Sequence, residues 1–385
     1  MVEPNMIGAY GPWAANIVGT EPGRLSLRRG DWPILDEWRE TARNRLFELL
    51  AMPEIDAPTV TVWRRISRDG LHIEELSWQL PYGPPTRALF LKPEGATGPL
   101  PGILALHDHG GNKYFGCDKI AQIDDAPSQL MVEHRAECYG GRAWANEIAR
   151  RGYAVLVPDA FPFASRRVRL ADVPEVLHKG LVDDDEATRE GVAAYNRWAA
   201  EHESVMAKSL FCAGTTWPGV FLAEDRVALD ILCARDDVDP ERIGCGGLSG
   251  GGMRTAYLSG TDDRVRCAVC VGLMSTWRDY LLYKSHTHTW MLYVPLLPRD
   301  LDYPEILGLR APLPSLVLNN SDDPLFTLPE MQRADEILAE VYLRADAEER
   351  YRCSFYPGPH KFDLAMQEEA FGWFDRWLQS EPVPR

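Results

Sequence analysis

Residues 242–258 of the 385-residue chain read RIGCGGLSGGGMRTAYL and place six glycines around a single serine, Ser249. The segment begins as an apolar run with the length of a buried strand, and from Met253 onward it follows a helical pattern. Residues 247–251 fit G-x-S-x-G, a pattern that carries a nucleophilic serine when a strand precedes it and a helix follows it. The stretch therefore predicts a sharp strand-to-helix turn that exposes the Ser249 hydroxyl above a sheet.

The glycines around Ser249 have two expected uses. A tight turn needs strained backbone angles and close approach of the neighbouring chain, and glycine accepts both most readily. The N–H of Gly250 also lies at the start of the predicted helix, where it can stabilise a developing oxyanion. The other interpretation is a flexible or phosphate-binding glycine loop. Against it, no lysine follows in the Walker pattern, and the G-x-G-x-x-G spacing is not met around Ser249.

A serine nucleophile needs a base and an acid, and in this type of sheet both are expected after the ends of later strands. Asp322 and Asp323 follow the apolar run LPSLVLNN, and His360 follows the run YRCSFYPG. His360 is the only histidine after Asp323, so we predict that it is the base. Asp323 is favoured over Asp322 as the acid because it stands directly before a Pro-Leu-Phe turn, although the choice between them stays open.

A second oxyanion donor is expected in the loop after the predicted strand GILALHD. The chain there reads His107-Asp108-His109-Gly110-Gly111. We predict that the backbone N–H of His109, or that of Gly110, is this donor.

Two H-x-H pairs allow a competing interpretation, a metal site formed by His107 and His109 with His286 and His288. Nothing in the sequence fixes the meeting of the two pairs, and a glycine-rich histidine loop needs no metal here. We therefore predict no metal and no cofactor. His286 and His288, together with Trp290, are predicted to line the substrate pocket.

The order of the predicted elements indicates an α/β fold. Residues 34–50 have one apolar helical face, and two β-rich runs flank a turn at Asp69 and Gly70, which predicts an antiparallel hairpin. From residue 102 onward, strand-like runs alternate with helical patterns, so we expect a mostly parallel sheet with helices on both faces. The expected division is an N-terminal helical extension over residues 1–56 and an α/β domain over residues 57–385.

Residues 160–220 interrupt this alternation and are predicted to be an insertion. They contain an acidic start, a helix through AAYNRWAAEHESVMAKSL and a loop rich in Gly, Thr, Trp and Pro, after which EDRVALDILCARDDVDP predicts a helix. Insertions in doubly wound folds often cover the carboxyl ends of the strands, where ligands bind. Packing on the outside of the domain is the alternative, so whether the insertion is a lid stays open.

Charge and composition restrict the classes of partner and compartment. The net charge of −16 opposes binding to nucleic acid or to anionic lipid, and no run of eighteen apolar residues suggests a membrane span. The N-terminus has no basic, apolar leader pattern, and eight scattered cysteines are typical of reduced core residues, so we expect a cytoplasmic protein. Cys267 and Cys270 form a C-x-x-C, but they lie within an apolar run and lack a second pair.

Four segments together resemble a known superfamily: LALHDHGG, the GLSGGG turn, DDPLF and GPHKF, in this order. They resemble the α/β-hydrolase superfamily, and within it the dienelactone hydrolase and acetyl xylan esterase-like group, over residues 85–380. The resemblance implies an α/β-hydrolase fold with Ser249 as nucleophile, Asp323 as acid and His360 as base. Serine stands here where dienelactone hydrolases carry cysteine, which favours ordinary ester chemistry.

The function expected from these residues is serine carboxylic-ester hydrolysis through an acyl-enzyme, on a short-chain, acetyl-type ester of a small molecule or carbohydrate. Two alternatives remain from the sequence. The same three residues could cleave an amide or a carbon–carbon bond, or the chain could be a catalytically silent binding protein on this fold. The acyl and alcohol groups of the substrate stay open, as does assembly into a homo-oligomer.

Overall fold

The computed structural model describes residues 4–19 and 21–379. Within these residues nine strands form one sheet in the order β1-β2-β3-β5-β4-β6-β7-β8-β9. The strands are β1 (Val60–Arg68), β2 (Leu71–Trp78), β3 (Thr86–Pro93), β4 (Leu100–Leu106), β5 (Ala154–Pro158), β6 (Val238–Leu248), β7 (Val265–Val271), β8 (Ser315–Asn320) and β9 (Tyr351–Tyr356). Strands β1 to β3 are antiparallel to their neighbours, and the six strands β4 to β9 run parallel to one another.

Helices connect the parallel strands and cover the sheet. They are α1 (Gly11–Val18), α2 (Leu35–Leu50), α3 (Gln129–Cys138), α4 (Trp144–Arg150), α5 (Glu175–His178), α6 (Arg189–Ala213), α7 (Trp217–Cys233), α8 (Gly250–Thr261), α9 (Tyr303–Gly308), α10 (Leu328–Arg344) and α11 (Leu364–Phe374). In the part of the chain that is described, none of them is long and apolar enough to cross a membrane.

The predicted hairpin joins β1, at one edge of the sheet, to its neighbour β2. Asp69 and Gly70 form its turn, with φ angles of 48° and 75°. Two consecutive positive φ angles give the turn that matches the twist of a two-stranded ribbon, and Asp-Gly is a favoured pair for it. The prediction of an antiparallel start to the sheet is thus confirmed.

Side chains alternate between two hydrophobic layers, one on each face of the sheet. On β4, Ile103 and Ala105 pack in the layer that contains residues of α4 and α11, whereas Leu104 and Leu106 pack in the layer that contains residues of α2, α7 and α8. This period of two is what a strand covered on both faces requires. Cys267 and Cys270 of β7 likewise belong to opposite layers, so this C-x-x-C cannot bring its two sulfurs together.

The N-terminal segment contributes to the main core. Trp38, Ala42, Leu46 and Leu50 of α2 are fully buried in the layer that also holds α7 and α8. The Trp38 indole nitrogen donates to the carbonyl of Leu25 at 2.7 Å. The division of the chain at residue 56 stays a prediction, and residues 1–3, 20 and 380–385 of its two parts lie outside the described residues.

Helix boundaries around residue 220 and residue 235 differ from the sequence interpretation. Helix α7 begins at Trp217, inside the segment expected to be a loop, because the Thr216 hydroxyl accepts a hydrogen bond from the N–H of Gly219 at 3.1 Å and caps the helix. The same helix ends at Cys233 and does not run on to Pro240. Val238 instead starts β6 and pairs with Leu100. Proline disfavours a helical conformation at the residue before it, here Asp239, so Pro240 opposes a longer helix.

Candidate active site

Ser249 lies at the turn between β6 and α8 in a strained backbone conformation. Its φ and ψ angles are 57° and −117°, a region that residues other than glycine rarely occupy. Two hydrogen bonds hold the turn: the Ser249 N–H donates to the Val271 carbonyl at 2.8 Å, and the Ser249 carbonyl accepts from the N–H of Met253 at 2.9 Å. Ser249 is 8% exposed and lines a cavity at the carboxyl end of the sheet.

The glycines beside Ser249 are required by close approach of backbones. A Cβ atom on Gly247 or Gly251 would lie 2.2 or 2.1 Å from the carbonyl oxygen of Leu106 on β4. A Cβ on Gly252 would lie 2.7 Å from the Val271 carbonyl oxygen. None of the six glycines has a positive φ, so the strained angle falls on the serine itself. The glycines instead let α8 start directly against the ends of β4 and β7.

His360 and Asp323 form a hydrogen-bonded pair in the loops that follow β9 and β8. The Nδ1 atom of His360 lies 2.5 Å from Oδ2 of Asp323, and Oδ1 of the same carboxylate accepts from the N–H of Leu325 at 2.9 Å. Asp323 is 4% exposed. An imidazole that donates from Nδ1 to a carboxylate keeps a lone pair on Nε2, which is the atom that a general base uses.

Asp322, the other carboxylate considered from the sequence, has a different environment. It is exposed, and its Oδ2 accepts a hydrogen bond from the N–H of Gly358 at 2.8 Å. The Asp322 side chain therefore ties the loop after β8 to the loop after β9, while the Asp323 side chain orients the His360 ring.

The segments that follow β6 and β9, two parallel strands of the sheet, carry Ser249 and His360 to the same cavity. Gly272 follows Val271, the residue whose carbonyl holds the Ser249 N–H, and a Cβ on Gly272 would lie 2.9 Å from Cε1 of His360. Ser249 and His360 line the same cavity. The Nε2 atom of His360 is buried and has no hydrogen-bond partner among the described residues. The arrangement leaves a base-competent nitrogen available at the cavity that contains the serine hydroxyl.

The backbone of His109 lies against the start of α8. A Cβ on Gly250 would be 3.1 Å from the backbone nitrogen of His109, so the two peptide groups face each other closely. No protein acceptor within the described residues takes the N–H of either residue. Lys119, which is fully buried, donates to the carbonyls of Asp108 and His109 at 2.8 and 3.0 Å and fixes this loop. Two unpaired N–H groups are thus available at the cavity beside Ser249.

A buried carboxylate on helix α6 holds the His109 side chain. Glu203 accepts from Nε2 of His109 at 3.1 Å and from Nζ of Lys113 at 2.6 Å, and its second oxygen accepts from the N–H of Trp290 at 3.3 Å. Burial opposes ionisation of Glu203, but the hydrogen bond from His109 and the charge of Lys113 outweigh it and lower its pKa to about 2. Helix α6 therefore holds both the His109 side chain of the cavity lining and the backbone of Trp290 through one ionised side chain.

The three residues expected to line the pocket differ in their relation to the cavity that contains Ser249. His288 lines the cavity, where its Nε2 donates to the Leu325 carbonyl at 3.0 Å and its ring meets Tyr280 edge-on at 4.9 Å. Burial lowers its pKa to about 4, so the ring is neutral at pH 7. His286 is exposed, and Trp290 is 44% exposed; neither belongs to the cavity lining.

The histidines of the first H-x-H pair have their ring nitrogens engaged in hydrogen bonds. His107 donates from Nδ1 to the Asp108 carbonyl at 2.9 Å, and its Nε2 accepts from the N–H of Ala160 at 3.1 Å. Burial holds the pKa of His107 well below its usual value. The Nδ1 of His109 accepts from the N–H of Gly111 at 3.0 Å. Across residues 4–19 and 21–379, no three His, Cys, Asp or Glu side chains are grouped so that they could hold a metal ion.

The cavity above Ser249 has a volume of about 310 Å³, at the lower end of the range for small-molecule sites. Its lining combines polar residues, among them Ser249, His288 and His360, with largely apolar walls. These walls are lined by Phe163, Phe221, Met253, Leu273, Met291 and Leu292. A cavity of this kind binds a small group with a hydrocarbon part while it holds one polar centre beside the serine.

Sequence reasoning missed Glu203 and Lys119. Both are charged residues in polar stretches of the sequence, and their roles depend on His109, which is distant from Glu203 along the chain. The local sequence does not indicate that Lys119 is fully buried, because its burial depends on how the loops around it assemble.

Comparisons with known proteins agree with this fold. No protein-family model matches the chain. A Bacillus subtilis (strain 168) protein named "Putative hydrolase YtaP" is 27% identical over 344 residues, which span 88% of this chain and 100% of that protein.

Solved structures of similar fold include a "putative acetyl xylan esterase" from Bacteroides fragilis NCTC 9343, with a TM-score of 0.68 and 17% identity over 91% of this chain and 82% of that one. A glucuronoyl esterase from Solibacter usitatus has a TM-score of 0.61 and 16% identity over 92% of this chain and 97% of that one. The protein has the α/β-hydrolase fold, and the fold predicted from its motifs is confirmed.

Proposed function

We propose that the protein is a serine carboxylic-ester hydrolase that acts through an acyl-enzyme. One observation carries the proposal: the Ser249 hydroxyl shares a cavity with an unpartnered ring nitrogen of His360, whose other nitrogen is held by the buried carboxylate of Asp323. A hydroxyl, an imidazole and a carboxylate in this relation form the chemistry of a Ser-His-Asp triad.

The proposed first half-reaction forms the acyl-enzyme. Nε2 of His360 takes the proton from Oγ of Ser249 as Oγ attacks the ester carbonyl carbon. The carbonyl oxygen becomes an oxyanion, which accepts hydrogen bonds from the N–H groups of Gly250 and His109. His360 then gives its proton to the leaving alcohol oxygen, the carbon–oxygen bond breaks, and the acyl group stays on Ser249. Asp323 keeps the ring oriented and stabilises the imidazolium that forms.

The second half-reaction releases the acid. His360 takes a proton from a water molecule, whose oxygen attacks the acyl carbonyl and forms a second oxyanion held by the same two N–H groups. When that intermediate collapses, His360 returns the proton to Oγ of Ser249. Every proton moves between groups that the chain or the substrates supply, so the proposed reaction requires no cofactor.

The substrate we propose is a short-chain, acetyl-type ester of a small molecule or carbohydrate. The small cavity volume and its apolar walls favour a short acyl group. Structural neighbours described as an acetyl xylan esterase and a glucuronoyl esterase support a carbohydrate ester. The YtaP relative, described as a hydrolase, supports the same reaction class.

The test is a chain-length series of 4-nitrophenyl esters with the wild-type protein, Ser249→Ala and a matched control. We expect the wild type to favour acetyl over longer chains and Ser249→Ala to lose turnover by about 10⁴-fold or more. Ser259→Ala, a buried serine of the same helix α8, should keep wild-type turnover. Far-ultraviolet circular dichroism should show all three folded.

Two results would contradict the proposal. One is full esterase activity in Ser249→Ala, and the other is failure of a fluorophosphonate to label Ser249 in the folded wild-type protein. Turnover of amide analogues together with inertness to every ester would exclude the ester assignment while keeping the serine as nucleophile.

A further inference from the structure

Arg254 has a charged side chain at the proposed active site, and the proposed hydrolytic steps do not use this side chain. It lies five residues after Ser249 on α8 and lines the same cavity, and its side chain is 3% exposed. Side chains on a helix lean toward its N-terminus, so the Arg254 guanidinium leans back toward the Ser249 end of α8. Its centre also lies 5.7 Å from the ring centroid of Phe221, another residue of the cavity wall.

Both nitrogens on one edge of the Arg254 guanidinium are hydrogen-bonded to Asp225. Its Nε donates to Oδ2 of Asp225 at 2.9 Å, and its Nη2 donates to Oδ1 of the same carboxylate. Asp225 lies on α7 and is 1% exposed, so this ion pair joins α7 to α8 inside the protein. A bidentate pair of this kind holds the guanidinium plane in one orientation.

The other edge of the guanidinium has no partner. Because Asp225 is bound by Nε and Nη2, the remaining nitrogen, Nη1, points away from it, and Nη1 is buried without a hydrogen bond to any described residue. A buried donor without an acceptor costs free energy, and the cost is larger for a charged group. An acceptor atom supplied by a ligand in the cavity that Arg254 lines would satisfy this donor.

The charge balance around the cavity favours a neutral acceptor. Asp225 already compensates the charge of Arg254, so a second carboxylate there would bury an excess negative charge. The carboxylates near the cavity, Asp108, Glu203, Asp225 and Asp323, each accept a hydrogen bond from a cationic or imidazole partner. The hydrogen-bond acceptor that Nη1 lacks is thus a neutral oxygen atom with a lone pair.

We propose that Nη1 of Arg254 donates a hydrogen bond to a neutral oxygen of the substrate, a hydroxyl, ether or ring oxygen separate from the ester group. This inference rests on the proposed ester hydrolysis and adds its substrate class: esters of oxygenated, polyol-like molecules in preference to hydrocarbon esters of the same size. Arg254 is then a specificity-determining residue, and the apolar walls bind the carbon skeleton that separates the two oxygen functions.

The test compares pairs of esters in which an ether oxygen replaces a methylene group, on either side of the ester. On the acyl side, 4-nitrophenyl 3-methoxypropanoate is compared with 4-nitrophenyl pentanoate. On the alcohol side, 2-methoxyethyl acetate is compared with butyl acetate. Each kcat/KM ratio is divided by the ratio of hydroxide-catalysed rates, which removes the intrinsic difference in reactivity. In one of the two pairs, the wild type should favour the ether by about ten- to a hundredfold.

Arg254→Lys tests the assignment to Nη1, because lysine keeps a positive charge for Asp225 but lacks the planar second edge. We expect the corrected preference to fall to about one in this variant. If Arg254→Lys does not fold, the double variant Arg254→Gln with Asp225→Asn removes both charges together and should show the same loss. Arg189→Lys, at an exposed position of α6, should keep the wild-type preference.

The outcomes separate this inference from the function on which it rests. If the wild type hydrolyses both members of both pairs without a preference, or if Arg254→Lys keeps the preference, the role of Arg254 is overturned and the esterase proposal stands. If the wild type hydrolyses none of the four esters, or if Ser249→Ala hydrolyses them as well as the wild type does, the proposed function itself fails.

Discussion

At the residue scale, Ser249 combines a strained backbone with a set of compensating contacts. A residue other than glycine at φ 57° and ψ −117° costs about 1–3 kcal/mol. The hydrogen bond from its N–H to the Val271 carbonyl and the one from the Met253 N–H to its own carbonyl offset this cost. Because both bonds use the backbone, the hydroxyl is left free to enter the cavity, and the strain serves to position it.

Asp322 and Asp323 are adjacent in sequence but have different environments, so the same substitution at each position gives a matched comparison. Asp323→Asn replaces the carboxylate that faces Nδ1 of His360, so the ring loses both its orienting acceptor and its stabilising charge. We expect kcat on an aryl acetate to fall by about 10⁴-fold. Asp322→Asn changes an exposed carboxylate that accepts from the Gly358 N–H in the connecting loop and should leave kcat close to the wild-type value.

Steady-state kinetics of both variants at pH 7 would check this expectation. A large loss in Asp322→Asn together with wild-type activity in Asp323→Asn would exclude Asp323 as the orienting acid.

At the scale of elements, the start of α8 is set by how closely it approaches β4. A methyl group at position 251 would meet the Leu106 carbonyl oxygen at 2.1 Å and the His107 carbonyl oxygen at 3.1 Å, and backbone atoms cannot rotate away as a flexible side chain can. We expect Gly251→Ala to lower the free energy of unfolding by about 1–3 kcal/mol or more. Urea unfolding followed by tryptophan fluorescence measures this change.

Gly372→Ala is the control for that substitution. Gly372 lies in α11, is exposed, and a Cβ there would meet nothing within 4 Å. The substitution should raise the free energy of unfolding by about 0.5–1 kcal/mol, because alanine favours the helix and restricts the unfolded chain. If Gly251→Ala were as stable as Gly372→Ala, the close approach at position 251 would not account for that glycine.

Helix α6, which lies within the segment predicted to be an insertion, is the second element that shapes the site. Glu203→Gln removes the charge that pairs with Lys113 and weakens the hold on the His109 ring, while it preserves side-chain size. We expect kcat to fall by about ten- to a hundredfold through displacement of the His109 backbone, with a smaller change in KM. Lys113 also loses the negative charge that compensates its own inside the protein and keeps the Ala199 carbonyl as an acceptor, so the free energy of unfolding should fall as well.

Glu201→Gln changes an exposed carboxylate of the same helix and should leave kcat and stability near the wild-type values. Parallel measurement of kcat, KM and urea unfolding for both variants distinguishes positioning from general destabilisation. An unchanged kcat in a destabilised Glu203→Gln protein would limit Glu203 to a structural role.

At the scale of the whole molecule, the N-terminal segment and the sheet share one hydrophobic layer. Trp38 is fully buried in that layer, whereas Trp13 of α1 is 63% exposed. Trp38→Ala should lower the free energy of unfolding by about 3–5 kcal/mol, because it leaves a large cavity in the core. Trp13→Ala should change it by about 0.5 kcal/mol or less.

The shared layer also predicts how Trp38→Ala unfolds. Urea curves recorded by fluorescence and by far-ultraviolet circular dichroism should coincide in a single transition, since α2 cannot detach without opening the core around α7 and α8. An early transition confined to the N-terminal segment, with the remaining structure intact, would contradict this expectation.

The sequence by itself determined the class of fold and the order of the elements. Alternation of apolar runs with helical patterns is local information, and the G-x-S-x-G stretch specified a strand-to-helix turn because its neighbours had the right periodicity. Local patterns were less reliable at element ends. Helix α7 began earlier than expected through the Thr216 cap and ended at Cys233, where pairing of Val238 with Leu100 of β4 decided in favour of a strand.

Only the tertiary structure decided which side chains share the cavity. His286 and His288 are two residues apart in one motif, yet only His288 reaches the cavity lining, because the path of that loop depends on its contacts with Leu325 and Tyr280. Glu203 and Arg254 carry no local sign of their roles. A charged side chain is buried, paired or left with a free edge only by the neighbours that distant segments bring to it, and these long-range contacts are what folding adds to the sequence.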